Sequence, residues 1–193
     1  MAMKPEIEKL VVALAHEAAR RDHEVTNIVE MPQPLGIYAS ELYLRSSDFL
    51  DAVDTLVSAR KDKHSHACYA LLLHALELSL KSFLAARQEP KKELKRLGHN
   101  LAKLFDACVS MGLREDPVMR TFIEGVDDSH REHDFRYPTG FMLRVPRPDF
   151  SVGLLRKLNE AILPVIRRAN SEDQLRFAEM TRDMKGKKIR WSD

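Results

Sequence analysis

One helical segment constrains the fold of this 193-residue chain more than any other feature. Residues 67–87 read ACYALLLHALELSLKSFLAAR, which is apolar on nearly every side of a helix. Within this segment His74, Glu77 and Lys81 recur at spacings of three and four, so they form one polar stripe along a surface that otherwise reads as buried. Buried polar groups need partners or water. The stripe therefore predicts a cleft, a dimer seam or a contact with polar groups of another helix.

The rest of the chain also has a helical periodicity, with only 7 glycines and almost no alternating apolar pattern. We therefore predict an all-α fold, an antiparallel up-and-down helical bundle with an extra N-terminal helix. The predicted helices cover about residues 4–21, 38–61, 64–88, 100–112, 116–133 and 151–170. In the last of these, Pro164 removes an interior hydrogen bond, which predicts a kink or an early end.

The length suits one well-buried core and is too short for two ordinary domains. We divide the chain into an N-terminal helix with a linker (1–37), the bundle (38–170) and a polar, basic C-terminal tail (171–193). We expect the last residues of this tail, KGKKIRWSD, to be frayed. Prolines and glycine between residues 22 and 37 predict a break in regular structure. Capping signals mark three helix ends inside the bundle, at Asn100, Gly112 and Asp116-Pro117.

Basic and acidic side chains nearly balance, at 31 against 29, so the formal net charge is only +2. This excludes nucleic-acid or membrane binding driven by the charge of the whole molecule. We expect no membrane span, because His74, Glu77 and Lys81 interrupt the most apolar helix, and the first residues lack a secretory signal. Cys68 and Cys108 lie in apolar helical patterns, which favours reduced thiols. These features predict a cytoplasmic protein without membrane contact.

Three short motifs follow one another along the chain: ELSLKSFLAA (Glu77 to Ala86), GHNLAKLFD (Gly98 to Asp106) and DFRYP (Asp134 to Pro138). In this order and spacing they resemble the HEPN domain family, over roughly residues 38–168. Members of that family are small bundles of antiparallel helices, usually dimeric, found beside nucleotidyltransferases or in prokaryotic toxin–antitoxin and other defence systems. The resemblance implies a homodimer, with RNA, a nucleotidyltransferase or an antitoxin as candidate partners.

Many proteins of this family are metal-independent ribonucleases, in which an arginine is followed after four to six residues by a histidine. Histidine supplies the acid and base for attack by the ribose 2′-hydroxyl, and arginine stabilises charge on the phosphate. This chain departs from that spacing, because His130 and His133 precede Arg136 and no histidine follows it. Arg60 and His66 have the spacing but lie at a helix junction, away from the family's site. The departure favours a non-catalytic protein that binds a protein partner, a nucleotide or RNA.

The alternative is a toxin-like endoribonuclease with a rearranged catalytic site. On a continuous helix His130 and His133 share one face, and Arg136 follows at the helix end, so the three could bind a phosphate and transfer protons. In the structural alternative, Arg136 reaches back to an acidic group such as Asp106 or Glu77, and the histidines are solvated.

Five residues are candidates for a ligand site or an interface: His74, Glu77, Lys81, His99 and Tyr137. For the first three, simple i,i+4 contacts on an exposed helix face are the alternative. His99 directly precedes a capping asparagine, so a tertiary hydrogen-bonding role competes with a functional imidazole. Tyr137, followed by proline, either fixes the exit of the chain from the preceding helix or contributes to an interface.

Metal ligation and a basic terminus are two further hypotheses. His64-x-His66-x-Cys68 contains metal-binding residue types, but alternate residues diverge on a helix, and His130-x2-His133 lacks clear third and fourth ligands. We therefore predict no metal and, since no glycine-rich phosphate loop occurs, no cofactor. The basic terminus contains Lys185, Lys187, Lys188, Arg190 and Trp191. These side chains either contact a nucleic-acid backbone or are solvated.

Overall fold

The structure is a computed structural model that describes residues 28–59, 65–137, 140 and 145–192. These residues belong to two compact units. One is a helical bundle of residues 34–179, and the other combines residues 28–33 with residues 180–192. The bundle confirms the predicted all-α fold. The first predicted helix, residues 4–21, lies outside the described residues.

The bundle is built from helices that differ in length and burial. In chain order they are α1 (Leu35–Ala59), α2 (Ser65–Ala86), α3 (Lys91–Leu97), α4 (Leu101–Ser110), α5 (Pro117–Arg131) and α6 (Pro148–Met180). The sequence analysis does not predict α3, because its seven residues KKELKRL contain a single buried side chain, Leu94, and thus no apolar repeat. The other five correspond to predicted helices, with shifts at their ends.

Helix α2 is the core of the bundle because nearly all its sides are apolar. Every residue from 75 to 80 is buried, and Leu72, Leu76, Leu80 and Phe83 are at most 2% exposed. By length and composition alone, His66–Ala86 would be long and apolar enough to cross a membrane, so our expectation that no stretch qualifies is wrong. However, 72% of its most apolar window is buried inside the protein, as in the core helix of a soluble protein.

The predicted capping residues occupy the predicted positions. Asn100 precedes α4, and its side-chain oxygen accepts the Lys103 N–H at 2.7 Å. Asp116 precedes α5, and its carboxylate accepts the Val118 N–H at 2.8 Å. Gly112 follows the end of α4 with a φ of +95°, a conformation that favours glycine. These local signals fix the ends of the two helices that frame the site described below.

Helix α6 is longer than predicted at both ends. It begins at Pro148 rather than about Ser151 and continues to Met180 rather than Asn170. It also runs through Pro164, so the expected early end there is wrong. Pro164 faces solvent, where water can bond the carbonyl that a proline leaves without its N–H partner. Much of the predicted polar tail is therefore helical.

The start of α1 packs tightly against the later part of α6. The Gly36 N–H donates a 2.6 Å hydrogen bond to the buried carboxylate of Asp173. A Cβ at Gly36 would lie 2.2 Å from the carbonyl oxygen of Ala169, so only glycine allows this approach. The contact explains why α1 begins within the segment that we predict as a linker, and it involves the part of α6 that we predict as tail.

The second unit contains two short parallel strands. Strand β1 (Ile28–Pro32) pairs with β2 (Lys188–Ser192), and Met31 lies opposite Trp191. The predictions of an irregular linker and a frayed terminus are therefore wrong at these positions. Each strand has only five residues and its partner is far along the chain, so neither produces a detectable alternating pattern.

Candidate functional site

The carboxylate of Glu77, in the middle of α2, is the centre of a buried polar cluster. Lys81 Nζ, one turn further along α2, donates to Glu77 Oε1 at 2.6 Å. His99 Nδ1 and His130 Nε2 each lie 2.9 Å from Glu77 Oε2. An ionised carboxylate only accepts hydrogen bonds, so both imidazoles donate a ring N–H to it. We call Glu77, Lys81, His99 and His130 the Glu77 cluster.

His99 is positioned by the turn between α3 and α4. The preceding Gly98 has a φ of +61° and a ψ of −130°, which non-glycine residues rarely adopt. The following Asn100 caps α4, and the backbone N–H of Ala102 donates to the Asp127 carboxylate of α5 at 3.2 Å. The GHN sequence therefore holds the start of α4 against α5 and directs the His99 ring towards Glu77.

His130 and His133 do not share a helix face, contrary to our prediction. Helix α5 ends at Arg131, and His133 lies in the following turn with a φ of +62°. His130 remains on the helix, is 5% exposed and contacts Glu77. The His133 ring instead lies against His99, with ring centroids 5.5 Å apart in an edge-to-face arrangement. Three imidazoles are thus brought together, but through His99 rather than through a helical repeat.

Arg136 and Tyr137 lie at the surface beyond this turn. The prediction that Arg136 reaches Asp106 or Glu77 is wrong: Asp106 pairs with Arg120, and Glu77 is bonded within its cluster. Within residues 28–59, 65–137 and 145–192, no carboxylate forms an ion pair with Arg136. Tyr137 is 68% exposed. The guanidinium of Arg136 is therefore exposed next to the imidazole group.

His74 belongs to the stripe on α2 but not to its hydrogen bonds. Its ring packs edge-on against Phe49, with centroids 4.8 Å apart, and its buried Nδ1 has no hydrogen-bond partner among the described residues. Burial lowers the pKa of His74, and the nearby charge of Arg136 contributes to the same shift, whereas Glu77 opposes it. His74 is thus favoured in its neutral form. Of the predicted stripe, only Glu77 and Lys81 form the expected i,i+4 pair.

The protonation of Glu77 is set by its partners rather than by its burial. Burial alone would raise the pKa of this carboxyl, but the hydrogen bonds from His130, His99 and Lys81 together outweigh it and hold the pKa well below its usual range. Glu77 is therefore ionised at neutral pH. Its negative charge is compensated by Lys81 on one oxygen and by two ring N–H groups on the other.

The members of the cluster differ in their exposure to solvent. The side chains of Glu77 and His130 are 3% and 5% exposed, that of Lys81 is 15% exposed, and that of His99 is 49% exposed. His99 is therefore the member that a ligand can reach. Because its Nδ1 is held by Glu77, its Nε2 is the ring atom left for an external partner.

Among the described residues, the cavity found beside this cluster is small. A cavity of about 10 Å³ lies beside the imidazoles, lined by Ala70, Ser129, His130, His133, Phe135 and Arg136. That volume holds about one water molecule, so a larger ligand does not fit inside this cavity. A groove of about 440 Å³ lies elsewhere, and none of its lining residues is titratable: Pro117, Val118, Thr121, Phe122, Gly125, Val126, Pro146 and Phe150.

Sequence reasoning finds the members of the cluster but not how they combine. The i,i+4 spacing identifies Glu77 and Lys81, and the GHN and HREH segments supply the two histidines. Their meeting on one carboxylate oxygen depends on how α2, α4 and α5 pack. The Arg60 and His66 spacing involves a residue outside the described part of the chain, and His66 itself is exposed at the start of α2.

Comparisons with known proteins add no relative. No protein-family model matches the chain, and no curated protein and no solved structure matches it significantly. The interpretation of the Glu77 cluster therefore depends on its geometry and on the three motifs of the sequence.

Proposed function

We propose that this is a HEPN-like, homodimeric and non-catalytic protein of the cytoplasm that binds RNA through phosphate groups. The phosphate-binding residues are His99, His133 and Arg136. The observation that carries the proposal is the half-exposed His99 ring, fixed by Glu77 and packed against His133. The two cysteines, Cys68 and Cys108, are free and buried, in accord with a reducing compartment.

The chemistry of these groups suits a phosphate. The exposed Arg136 lines the same small cavity as His130 and His133, and a guanidinium has a fork of donors that matches phosphate oxygens. When the His99 ring carries a proton on both nitrogens, its outer N–H donates a further hydrogen bond to a phosphate oxygen. This local basic site is compatible with a chain whose overall charge is only +2.

The same geometry argues against strand cleavage within one protomer. In-line attack on a phosphate needs an acid and a base on opposite sides of the reacting group. His99 and His133 are in direct ring contact, which leaves no room for a phosphate between them. His130 is buried and its Nε2 is engaged by Glu77. The proposal therefore assigns this surface to binding.

The test is RNA binding by the purified full chain in the presence of a chelator. Arg136→Gln is expected to weaken binding of single-stranded RNA about tenfold, as loss of a charged hydrogen bond does. It should also reduce the slope of log affinity against log salt by about 0.7, the contribution of one phosphate contact. The matched control is Arg167→Gln, an exposed arginine of α6, which should change neither value. Equal effects of the two variants, or no RNA binding by the wild type, would contradict the proposal.

The second candidate is a metal-independent endoribonuclease. It is favoured by the Glu77–His99 hydrogen bond, because a carboxylate that holds one imidazole nitrogen orients the other for proton transfer. In a homodimer, two His99 rings could face one phosphate from opposite sides. RNA cleavage in chelator that is lost in both His99→Ala and Arg136→Ala would establish this candidate, whereas intact RNA that remains bound to the protein would eliminate it.

A further inference from the structure

Three potential metal ligands from three separate elements meet at the Glu77 cluster. The donor atoms are a carboxylate oxygen of Glu77 on α2, Nδ1 of His99 before α4 and Nε2 of His130 on α5, and all lie within 4.8 Å of one another. Neither of the metal-ligand spacings in the sequence, at residues 64–68 and 130–133, combines these residues. The packing of the bundle alone brings them together.

We propose that Glu77, His99 and His130 form a binding site for a divalent transition metal of the Zn²⁺ and Co²⁺ class. Two imidazoles and one carboxylate are a common three-ligand set for zinc, with a water molecule as the fourth ligand. The exposed side of His99 gives such a water access to solvent. This inference goes beyond RNA binding and does not depend on it.

Metal binding requires a rearrangement of these side chains. In a tetrahedral site with bonds of 2.0–2.1 Å, neighbouring ligand atoms are about 3.3 Å apart. The two imidazole nitrogens now lie 2.9 Å from Glu77 Oε2, so each oxygen–nitrogen separation must lengthen by a few tenths of an ångström. The three donor atoms span up to 4.8 Å, so the two nitrogens must also move closer to each other. The proton on each coordinating nitrogen must also leave that nitrogen, for the other ring nitrogen or for solvent, which exposes a lone pair to the metal.

Lys81 determines which carboxylate oxygen is used and limits the affinity. Its ammonium group is bonded to Glu77 Oε1, which orients Oε2 towards the two imidazoles as outer-shell partners of metal ligands do. Its positive charge also repels a bound cation. The site is therefore expected to hold an exchangeable metal and not one that the fold requires. Mg²⁺ and Ca²⁺ prefer all-oxygen ligands and should not bind there.

The test is titration of the metal-free full chain with Co²⁺ and Zn²⁺ in the absence of RNA. Co²⁺ should give the intense visible absorption of tetrahedral coordination, and calorimetry should give one Zn²⁺ per chain. His99→Ala is expected to weaken binding by more than about tenfold, because loss even of an outer-shell partner has an effect of that size. The control His66→Ala removes an exposed histidine outside the cluster and should leave the affinity unchanged.

A second measurement uses only the wild-type protein, so it does not require a variant to fold. Nitrogen NMR of the wild-type histidines should show Zn²⁺-dependent shifts at Nδ1 of His99 and Nε2 of His130, and Mg²⁺ should cause none. Absence of saturable binding, equal binding by His99→Ala and the wild type, or shifts confined to other histidines would overturn the metal site. Because these measurements contain no RNA, a result that contradicts the metal site would not contradict the RNA-binding proposal, which the RNA-binding assay tests separately.

Discussion

Helix α2 carries two buried polar groups on opposite sides, and their surroundings differ. Ser79 lies between α1 and α6, where its hydroxyl is 2.6 Å from Ser46 Oγ and 2.6 Å from the Asn159 side-chain oxygen. Ser46 also donates to the carbonyl of Ala75 at 2.8 Å. Glu77, two residues earlier and about 200° away around the helix, instead faces α4 and α5 with Lys81 and two histidines.

The two sites differ in charge and in access to solvent. All three side chains of the Ser79 site are neutral and no more than 6% exposed. The Glu77 site is charged and ends at a half-exposed imidazole. A neutral, closed network fixes how helices align, whereas a charged network that reaches the surface can also respond to a ligand or to pH. We therefore expect a structural role for Ser79, whereas our proposals give Glu77 a role in ligand binding as well.

The largest effect on stability is expected from Glu77→Gln. The substitution leaves Lys81 without its counter-ion and replaces one of the two acceptor oxygens by an NH2 donor, and breaking such a buried pair costs about 3 kcal/mol. Denaturant unfolding followed by circular dichroism measures this change in the free energy of unfolding. Glu124→Gln, which removes an exposed carboxylate of α5, should change it by less than about 0.5 kcal/mol. A similar small change for Glu77→Gln would contradict the central role of this carboxylate.

The loss in the free energy of unfolding caused by Glu77→Gln should depend on pH. The pKa of Glu77 is lower in the folded protein than in the unfolded chain, so the unfolded state binds the proton more readily. The stabilisation is therefore fully present above the usual carboxyl pKa, about 4.3, and is lost as the pH falls below it. Unfolding measurements from pH 7 to pH 3 should show the wild type approaching Glu77→Gln. A constant difference between the two proteins across this range would refute the assigned shift.

A smaller and pH-independent loss is expected from Ser79→Ala. The substitution removes a hydroxyl that bonds two buried partners, Ser46 and Asn159, and this costs about 1–2 kcal/mol. RNA affinity and Co²⁺ absorption should remain at wild-type values, because both belong to the other side of α2. If Ser79→Ala changed either ligand property as much as His99→Ala does, the functional distinction between the two sides would fail.

The smallest effect is expected from His74→Leu. His74 lies on the polar stripe, but its buried Nδ1 has no partner among the described residues. Replacing an unsatisfied polar ring by an apolar side chain should leave the free energy of unfolding within about 1 kcal/mol of wild type, on the stabilising side. The same unfolding assay applies. A loss as large as that of Glu77→Gln would instead make His74 a full member of the cluster.

Sequence reasoning predicts the helices and helix ends that are marked by nearby residues, through apolar repeats or capping side chains. Apolar repeats predict α1, α2, α4 and α5, and the side chains of Asn100 and Asp116 predict their caps because each bonds to a neighbour two or three residues away. Helix α3 and the two strands are missed because five to seven residues carry too little periodicity. The extension of α6 past residue 170 includes Asp173, which contacts Gly36, and no local pattern indicates a contact between residues 137 positions apart.

The candidate site is predictable in its members and not in its geometry. Glu77 and Lys81 are one helical turn apart, so their pairing follows from sequence. His99 is 22 residues and His130 is 53 residues from Glu77, and nothing local indicates that they share its oxygen. The prediction that His130 and His133 share a face assumes a continuous helix, and the end of α5 at Arg131 removes that assumption.

The position of Trp191 decides how these predictions are best measured. It is the single tryptophan of the chain, and it lies in β2 opposite Met31 of β1. Its fluorescence therefore reports on the strand pair, whereas circular dichroism reports on the helices. Substitutions in the Glu77 cluster should shift the unfolding transition measured by circular dichroism before they shift the one measured by fluorescence. Coincident transitions of the two signals would show that both units unfold together, and separated ones would show two cooperative steps in one chain.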